Sequence, residues 1–90
     1  MSMDFDLNLK QLKVFYYVAK DLSFTKAAQE LYVTQPAVAM QVDSLEKHYG
    51  VLLFNRKKRQ LSLTEAGEAL YEYAARIMQL AYEAHRTILD

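Results

Sequence analysis

The sequence predicts a small, mainly α-helical domain: three helices, a short β-hairpin and a long last helix. Three observations lead there. Of the 90 residues, 52% are apolar, while only two are glycine and one is proline, a composition that favours ordered helix over loop or disorder. Each of four helically periodic segments is preceded by an Asn, Ser or Thr of the kind that caps a helix N-terminus. One stretch alone, residues 51–63, breaks the helical period with short β-prone runs on either side of a basic tip.

The first helix is "NLKQLKVFYYVAK". Asn8 can cap it, with Gln11 three positions on as a capping-box partner, and Leu12, Phe15, Val18 and Ala19 share its inner face. "DLS" interrupts it. Ser23 then caps "FTKAAQELY", whose inner residues are Phe24, Ala27, Ala28 and Leu31; the paired alanines let another helix come close. Only "VT" separates this from a third helix in "TQPAVAMQVDSLEKHYG". Thr34 is its cap, Pro36 sits in a first turn where its missing N–H costs nothing, and Gly50 suits the left-handed residue that ends a helix. Its inner stripe is Val38, Val42, Leu45 and Tyr49. "VLLFNR" and "RQLSLT" make the hairpin around "KK".

Thr64 caps the last helix, which runs from residue 65 to the end of the chain. Gly67 should weaken its first turns slightly. At 1.5 Å per residue the helix is about 37 Å long, longer than so small a domain is wide. One face is Glu65, Glu68, Glu72, Arg76, Gln79, Glu83 and Arg86; the other is Ala66, Leu70, Tyr73, Ile77, Leu80, Ala81, Ala84 and Ile88. The distal apolar stripe has nothing left in this chain to cover it, and no turn residue lets the helix fold back on itself. A second copy of the chain is the simplest cover. The expected dimer interface is Leu70, Tyr73, Ile77, Leu80, Ala81, Ala84 and Ile88, with Tyr71 and Tyr82, off that stripe, as further candidates.

Charge and composition exclude several classes. No cysteine is present, so neither a disulfide scaffold nor a cysteine-ligated zinc site can form. His48 and His85 are isolated from other ligands at metal spacing, and no metal or other cofactor is expected. No apolar run approaches the roughly 20 residues of a membrane span, and no membrane partner is expected. There is no nucleophile–base arrangement and no phosphate-cradling glycine loop, so the sequence does not read as an enzyme. Net charge is zero, yet Arg56, Lys57, Lys58 and Arg59 cluster within residues 51–60 without a single acid among them.

The third helix carries the functional signal. Its outer face is Pro36, Met40, Asp43 and Lys47, with Gln35 and Ala39 at the edge, and it holds no charge before Asp43. An ordinary solvated face would be crowded with Lys and Glu. Two short helices joined by a tight turn, followed by a hairpin with a basic tip, form a winged helix-turn-helix. DNA accounts for each odd feature. Gln35 can pair with adenine N6/N7, and Pro36, Ala39 and Met40 can touch thymine methyls. The wing suits the phosphate backbone or minor groove. Asp43 is read as pairing with Lys47 at i+4 rather than accepting from cytosine N4, and Tyr32 is open to a DNA contact or to packing beside the turn.

At these residues the chain resembles a known family. "SFTKAAQELYVTQPAV", "SLEKHYG", "LFNR" and "LTEAG" stand in the order and spacing of the N-terminal DNA-binding domain of the LysR-type transcriptional regulators. The resemblance covers residues 9–90. It implies a winged helix-turn-helix over 9–63 after a flexible 1–8, and a linker or dimerisation helix over 64–90. It also implies a C-terminal effector-binding domain outside this chain, so that no effector binds here. Sequence-specific binding to double-stranded DNA on a pseudo-palindromic operator follows, as a homodimer paired antiparallel through the last helix, with a tetramer open to the full-length protein. So does a bacterial cytoplasmic location, at the nucleoid when DNA is bound.

Carried over by motif, Gln35 and Pro36 match the base-contacting "QP", Thr34 its usual Ser or Thr, and Arg56 the Arg of "LFxR". Arg59 lies at the basic wing position, beside Lys57 and Lys58. Thr25 and Lys26 stand where the family often touches phosphate. The family commonly has a hydroxyl residue at position 39 and Arg or Lys at 40. Ala39 and Met40 shift base readout here toward Gln35, apolar contacts and the wing. The alternative is a winged helix that serves only as an interaction or dimerisation module; sequence preference in the presence of competitor DNA separates the two.

Overall fold

The computed structural model describes residues 5–57 and 59–90. Four helices, α1 (Leu9–Asp21), α2 (Phe24–Leu31), α3 (Gln35–Tyr49) and α4 (Glu65–Leu89), are joined by two short strands, β1 (Phe54–Asn55) and β2 (Ser62–Leu63), placed between α3 and α4. Each helix begins on its expected cap. Asn8, Ser23, Thr34 and Thr64 accept from the N–H groups of Gln11, Lys26, Ala37 and Gly67 at 3.0–3.2 Å. Gly50 ends α3 at φ 69°. Among the described residues, no helix is long and apolar enough to cross a membrane.

The first two turns use no glycine. Leu22 and Tyr32 adopt the left-handed conformation themselves, at φ 50° and 57°. α2 therefore stops at Leu31, one residue short of the expected end, and Tyr32 is its cap. The Val33 N–H donates to the Ala28 carbonyl, 3.0 Å away, which closes the tight turn into α3. Tyr32 is 94% exposed, so packing beside the turn is not its role.

α1 is central and touches α2, α3 and α4. The core joins Leu12, Phe15, Val18 and Ala19 of α1 to Ala27, Ala28, Val38, Val42, Leu45, Leu53, Phe54 and Ala74. Phe24 and Leu31 are only half-buried at its edge, and Val14 joins it unforeseen. The expected α3 stripe breaks at its last member: Tyr49 is exposed, and the buried position near the helix end is Glu46. Of the expected flexible stretch 1–8, residues 1–4 lie outside the described residues; Leu7 already packs against the core, and Asn8 is the α1 cap.

The wing is anchored at its base. β1 and β2 pair antiparallel, Phe54 with Leu63 and Asn55 with Ser62. Phe54 is fully buried, with its ring 5.4 Å from that of Phe15 and 5.7 Å from that of Phe24. Thr64 donates its hydroxyl to the Leu52 carbonyl at 2.7 Å and its N–H to the Leu53 carbonyl at 3.0 Å.

Gly67 departs from its expected role. It is buried, and a Cβ on it would overlap the carbonyl oxygen of Leu53. The glycine lets α4 lie directly on the backbone that leads into the wing. Gly67→Ala would gain up to about 1 kcal/mol of helix propensity. Overpacking against a fixed backbone costs about 1–3 kcal/mol or more, so the net effect is expected to be a lower urea midpoint in equilibrium unfolding.

The proximal part of α4 belongs to the same core as the first three helices. Ala74 is fully buried; Leu70, Tyr71, Ile77 and Met78 pack against the core, and the Tyr71 ring stacks on Tyr16 at 5.6 Å. Tyr71, a further candidate for the dimer contact, is half-buried against the core. Leu70 and Ile77 are likewise half-occupied by the chain's own core. From Gln79 onward every residue is exposed.

Candidate functional site

The starts of α2 and α3 converge on one surface. Thr25 in the first turn of α2 donates its hydroxyl to the side-chain oxygen of Gln35, the first residue of α3, at 3.1 Å. Gln35, Pro36 and Met40 are exposed together, Met40 by 64%, and Ala39 is half-buried at the edge of that face. Thr34 accepts from the Ala37 N–H, 3.2 Å away, which leaves its own hydroxyl proton free to donate outward. Thr25 has no second proton to give; its one O–H is engaged by Gln35.

Lys26 stands beside this surface, exposed but tethered. Its ammonium lies 3.5 Å from Asp21, which also lies 3.6 Å from Lys20. Lys20 reaches on to Glu30 at 3.1 Å, which ties the end of α1 to α2. Burial pushes the Asp21 carboxyl up, but Lys20 and Lys26 more than reverse this, and it ends below the ordinary aspartate value. The hydrogen bond to Glu30 holds the Lys20 ammonium above the ordinary lysine value, against some desolvation.

Arg56, expected at the DNA backbone or minor groove, stays partly exposed while its guanidinium lies 3.3 Å from Glu46, 3.6 Å from Asp43 and 5.5 Å from the centre of the Phe24 ring. Asp43 therefore pairs with Arg56 and not with Lys47. Glu46, which sequence reasoning missed, is the hub. It is 6% exposed, and its Oε2 accepts from the N–H groups of Leu53 at 2.8 Å and Phe54 at 3.3 Å. One carboxylate on α3 thus holds both the backbone entering the wing and the Arg that leaves it. A signal was available: Glu46 continues Val38 and Val42 at a spacing of four, on the stripe that points inward.

Lys57 and Arg59 are exposed in the hairpin loop and make no ion pair among the described residues. Lys58 lies outside the described residues. Of the remaining expected interface, Tyr73, Leu80, Ala81, Ala84 and Ile88 are exposed along α4, Leu80 by 65% and Ile88 by 83%.

Known proteins share this geometry. Residues 9–68 match the family model described as "Bacterial regulatory helix-turn-helix protein, lysR family". The chain is 53% identical over 72 residues to the HTH-type transcriptional regulator CfxR of Cupriavidus necator, covering 80% of this chain and 23% of that protein. It is 42% identical over 87 residues to a probable RuBisCO transcriptional regulator of Cyanidioschyzon merolae, covering 97% of this chain and 29% of that protein. It thus spans about a quarter of the length of these relatives. Among solved structures, it is similar to the BenM DNA-binding domain in complex with catB site 1 DNA. There the TM-score is 0.86 at 30% identity, over 91% of each chain. The CbnR DNA-binding domain–DNA complex gives a TM-score of 0.79 at 38% identity, over 90% of this chain and 93% of that one.

Proposed function

The chain belongs to the LysR family of bacterial regulatory helix-turn-helix proteins, and on that premise we propose that it is the part of a transcriptional regulator that binds double-stranded DNA with sequence preference. The observation that carries the reading is the face of α3. Gln35, Pro36 and Met40 are exposed, uncharged and gathered at a helix start, with Lys26 close by on α2 and the cations Lys57 and Arg59 exposed in the hairpin loop. Such a face can enter a major groove and meet base edges. The loop carries the charge that meets phosphate or a narrow minor groove. The family is regulatory and the chain is not an enzyme.

In this reading Gln35, Pro36, Ala39 and Met40 contact bases. Thr34, Lys26, Arg56 and the loop residues Lys57, Lys58 and Arg59 contact the backbone or minor groove, and Arg56 also ties the wing to α3 through Glu46 and Asp43. Two copies pair through the distal half of α4, antiparallel, and so present two recognition helices to half-sites of opposite orientation. The exposed run Leu80, Ala81, Ala84 and Ile88 supports this pairing. The setting is the bacterial cytoplasm.

Selection of bound sequences from a random duplex pool, with competitor DNA present, tests the proposal directly. A pseudo-palindromic consensus is expected. Recovery of no preferred sequence would leave a winged interaction module and reject base readout. The wing has its own expected result. Replacing Lys57, Lys58 and Arg59 together by alanine should lower the slope of log K against log salt by roughly one unit for each phosphate the wing no longer neutralises. Specific and random DNA should weaken alike if the wing touches only backbone. An unchanged slope rejects the wing as a phosphate clamp.

A further inference from the structure

We infer that Thr25 is a specificity-determining residue, whose hydroxyl holds the Gln35 side chain in the orientation that reads adenine. This rests on the reading of Gln35 as a base contact. The two residues are ten positions apart, on different helices, and both are exposed. Burial does not force their bond, since water could serve either group. They meet because α2 packs on α3 and the starts of the two helices converge.

The chemistry of the bond decides what the amide can still do. Thr25 donates its only proton to Gln35 Oε1. One lone pair of Oε1 and both N–H groups of Nε2 are left for an outside partner. Adenine offers a donor at N6 beside an acceptor at N7, which matches one acceptor and one donor held side by side. Guanine offers two acceptors, O6 and N7, at the same edge. A free glutamine can turn its amide to give N–H groups to guanine. A glutamine whose Oε1 is held by Thr25 keeps that oxygen at the edge it presents, where guanine would set an acceptor against it. The hydroxyl therefore raises discrimination between adenine and guanine, and it also removes part of the ordering that a long flexible side chain would otherwise undergo on binding. Thr25 acts through Gln35 rather than on phosphate, because its proton is already engaged.

The test is a double-mutant cycle with Thr25→Val and Gln35→Ala, read on the selected site, on that site with its Gln35-dependent adenine changed to guanine, and on random duplex. Valine keeps the branched shape at an exposed helical position, and melting without DNA checks that the variant is folded. Thr25→Val should reduce the preference for adenine over guanine by about two- to tenfold, the scale set by ordering one long side chain. Affinity for random DNA and the salt slope should stay as in the parent chain, and Thr25→Ser should restore the preference. In the Gln35→Ala background, Thr25→Val should change nothing further. Equal weakening on specific and random DNA with a lower salt slope would make Thr25 a phosphate contact and overturn the inference, as would additive effects in the cycle. If Gln35→Ala abolishes the preference while Thr25→Val is silent, this inference alone falls. If Gln35→Ala leaves every position of the site unchanged, the reading of Gln35 falls with it.

Discussion

A chain carrying Leu80→Glu and Ala84→Glu is expected to sediment as a monomer and to bind a two-half-site operator some 10²–10⁴-fold more weakly than the parent, roughly the usual gain from joining two binding modules. Leu80 is 65% exposed and Ala84 has no neighbour from the core, so neither charge disturbs the folded protomer. The choice of positions comes from the structure. Ile77 lies on the same sequence stripe, but it packs against the core, and a charge there would destabilise the monomer and blur the result. Burying an isoleucine or leucine is worth about 1.5–3 kcal/mol, and Leu80 and Ile88 are both left in water by a single chain. Sedimentation equilibrium beside a titration of one and two half-sites reads the outcome. The doubly charged chain should bind a single half-site as the parent does. A variant that stays dimeric puts the interface elsewhere, and a parent chain that is monomeric at high concentration and on DNA defeats the pairing altogether.

Glu46→Ala is expected to have the largest effect on stability of any single change at the wing, about 2–5 kcal/mol. The magnitude follows from two buried N–H groups, Leu53 and Phe54, that would be left without their acceptor at about 1–3 kcal/mol each. Arg56 would be deprived of one of its two carboxylates, a smaller matter because it is partly exposed and still has Asp43. Arg56→Ala should therefore cost clearly less than Glu46→Ala, and Glu46→Gln, which keeps one acceptor oxygen, should fall between them. Urea unfolding of the three variants checks the order. A loss below about 1 kcal/mol for Glu46→Ala would mean that the carboxylate is not what holds the loop. Because the same carboxylate fixes the start of the wing relative to α3, the Glu46→Ala protein that remains folded should also bind DNA less tightly, with the recognition surface itself intact.

The sequence by itself determined the helices, their starts and the character of the exposed face. Caps act over three residues, and helical periodicity over seven or eight, so Asn8, Ser23, Thr34 and Thr64 could be placed from neighbours alone. The uncharged start of α3 was legible for the same reason, as was the surplus of cations near the hairpin tip. What local rules could not reach was every contact between distant segments. Leu22 and Tyr32 turn the chain without glycine, because packing of the flanking helices holds them in a conformation their own side chains disfavour. Gly67 reads as a flaw in a helix until the Leu53 carbonyl is seen against it. Arg56 reads as a free cation until Glu46 and Asp43, ten and thirteen positions away, are seen around it. Tyr71 is divided from the exposed stripe by the Tyr16 ring of α1, and Leu70 and Ile77 by the core they pack against. Charge partners, close backbone approaches and the division of one apolar stripe between core and surface all depend on three-dimensional neighbours. Tertiary structure alone decided them.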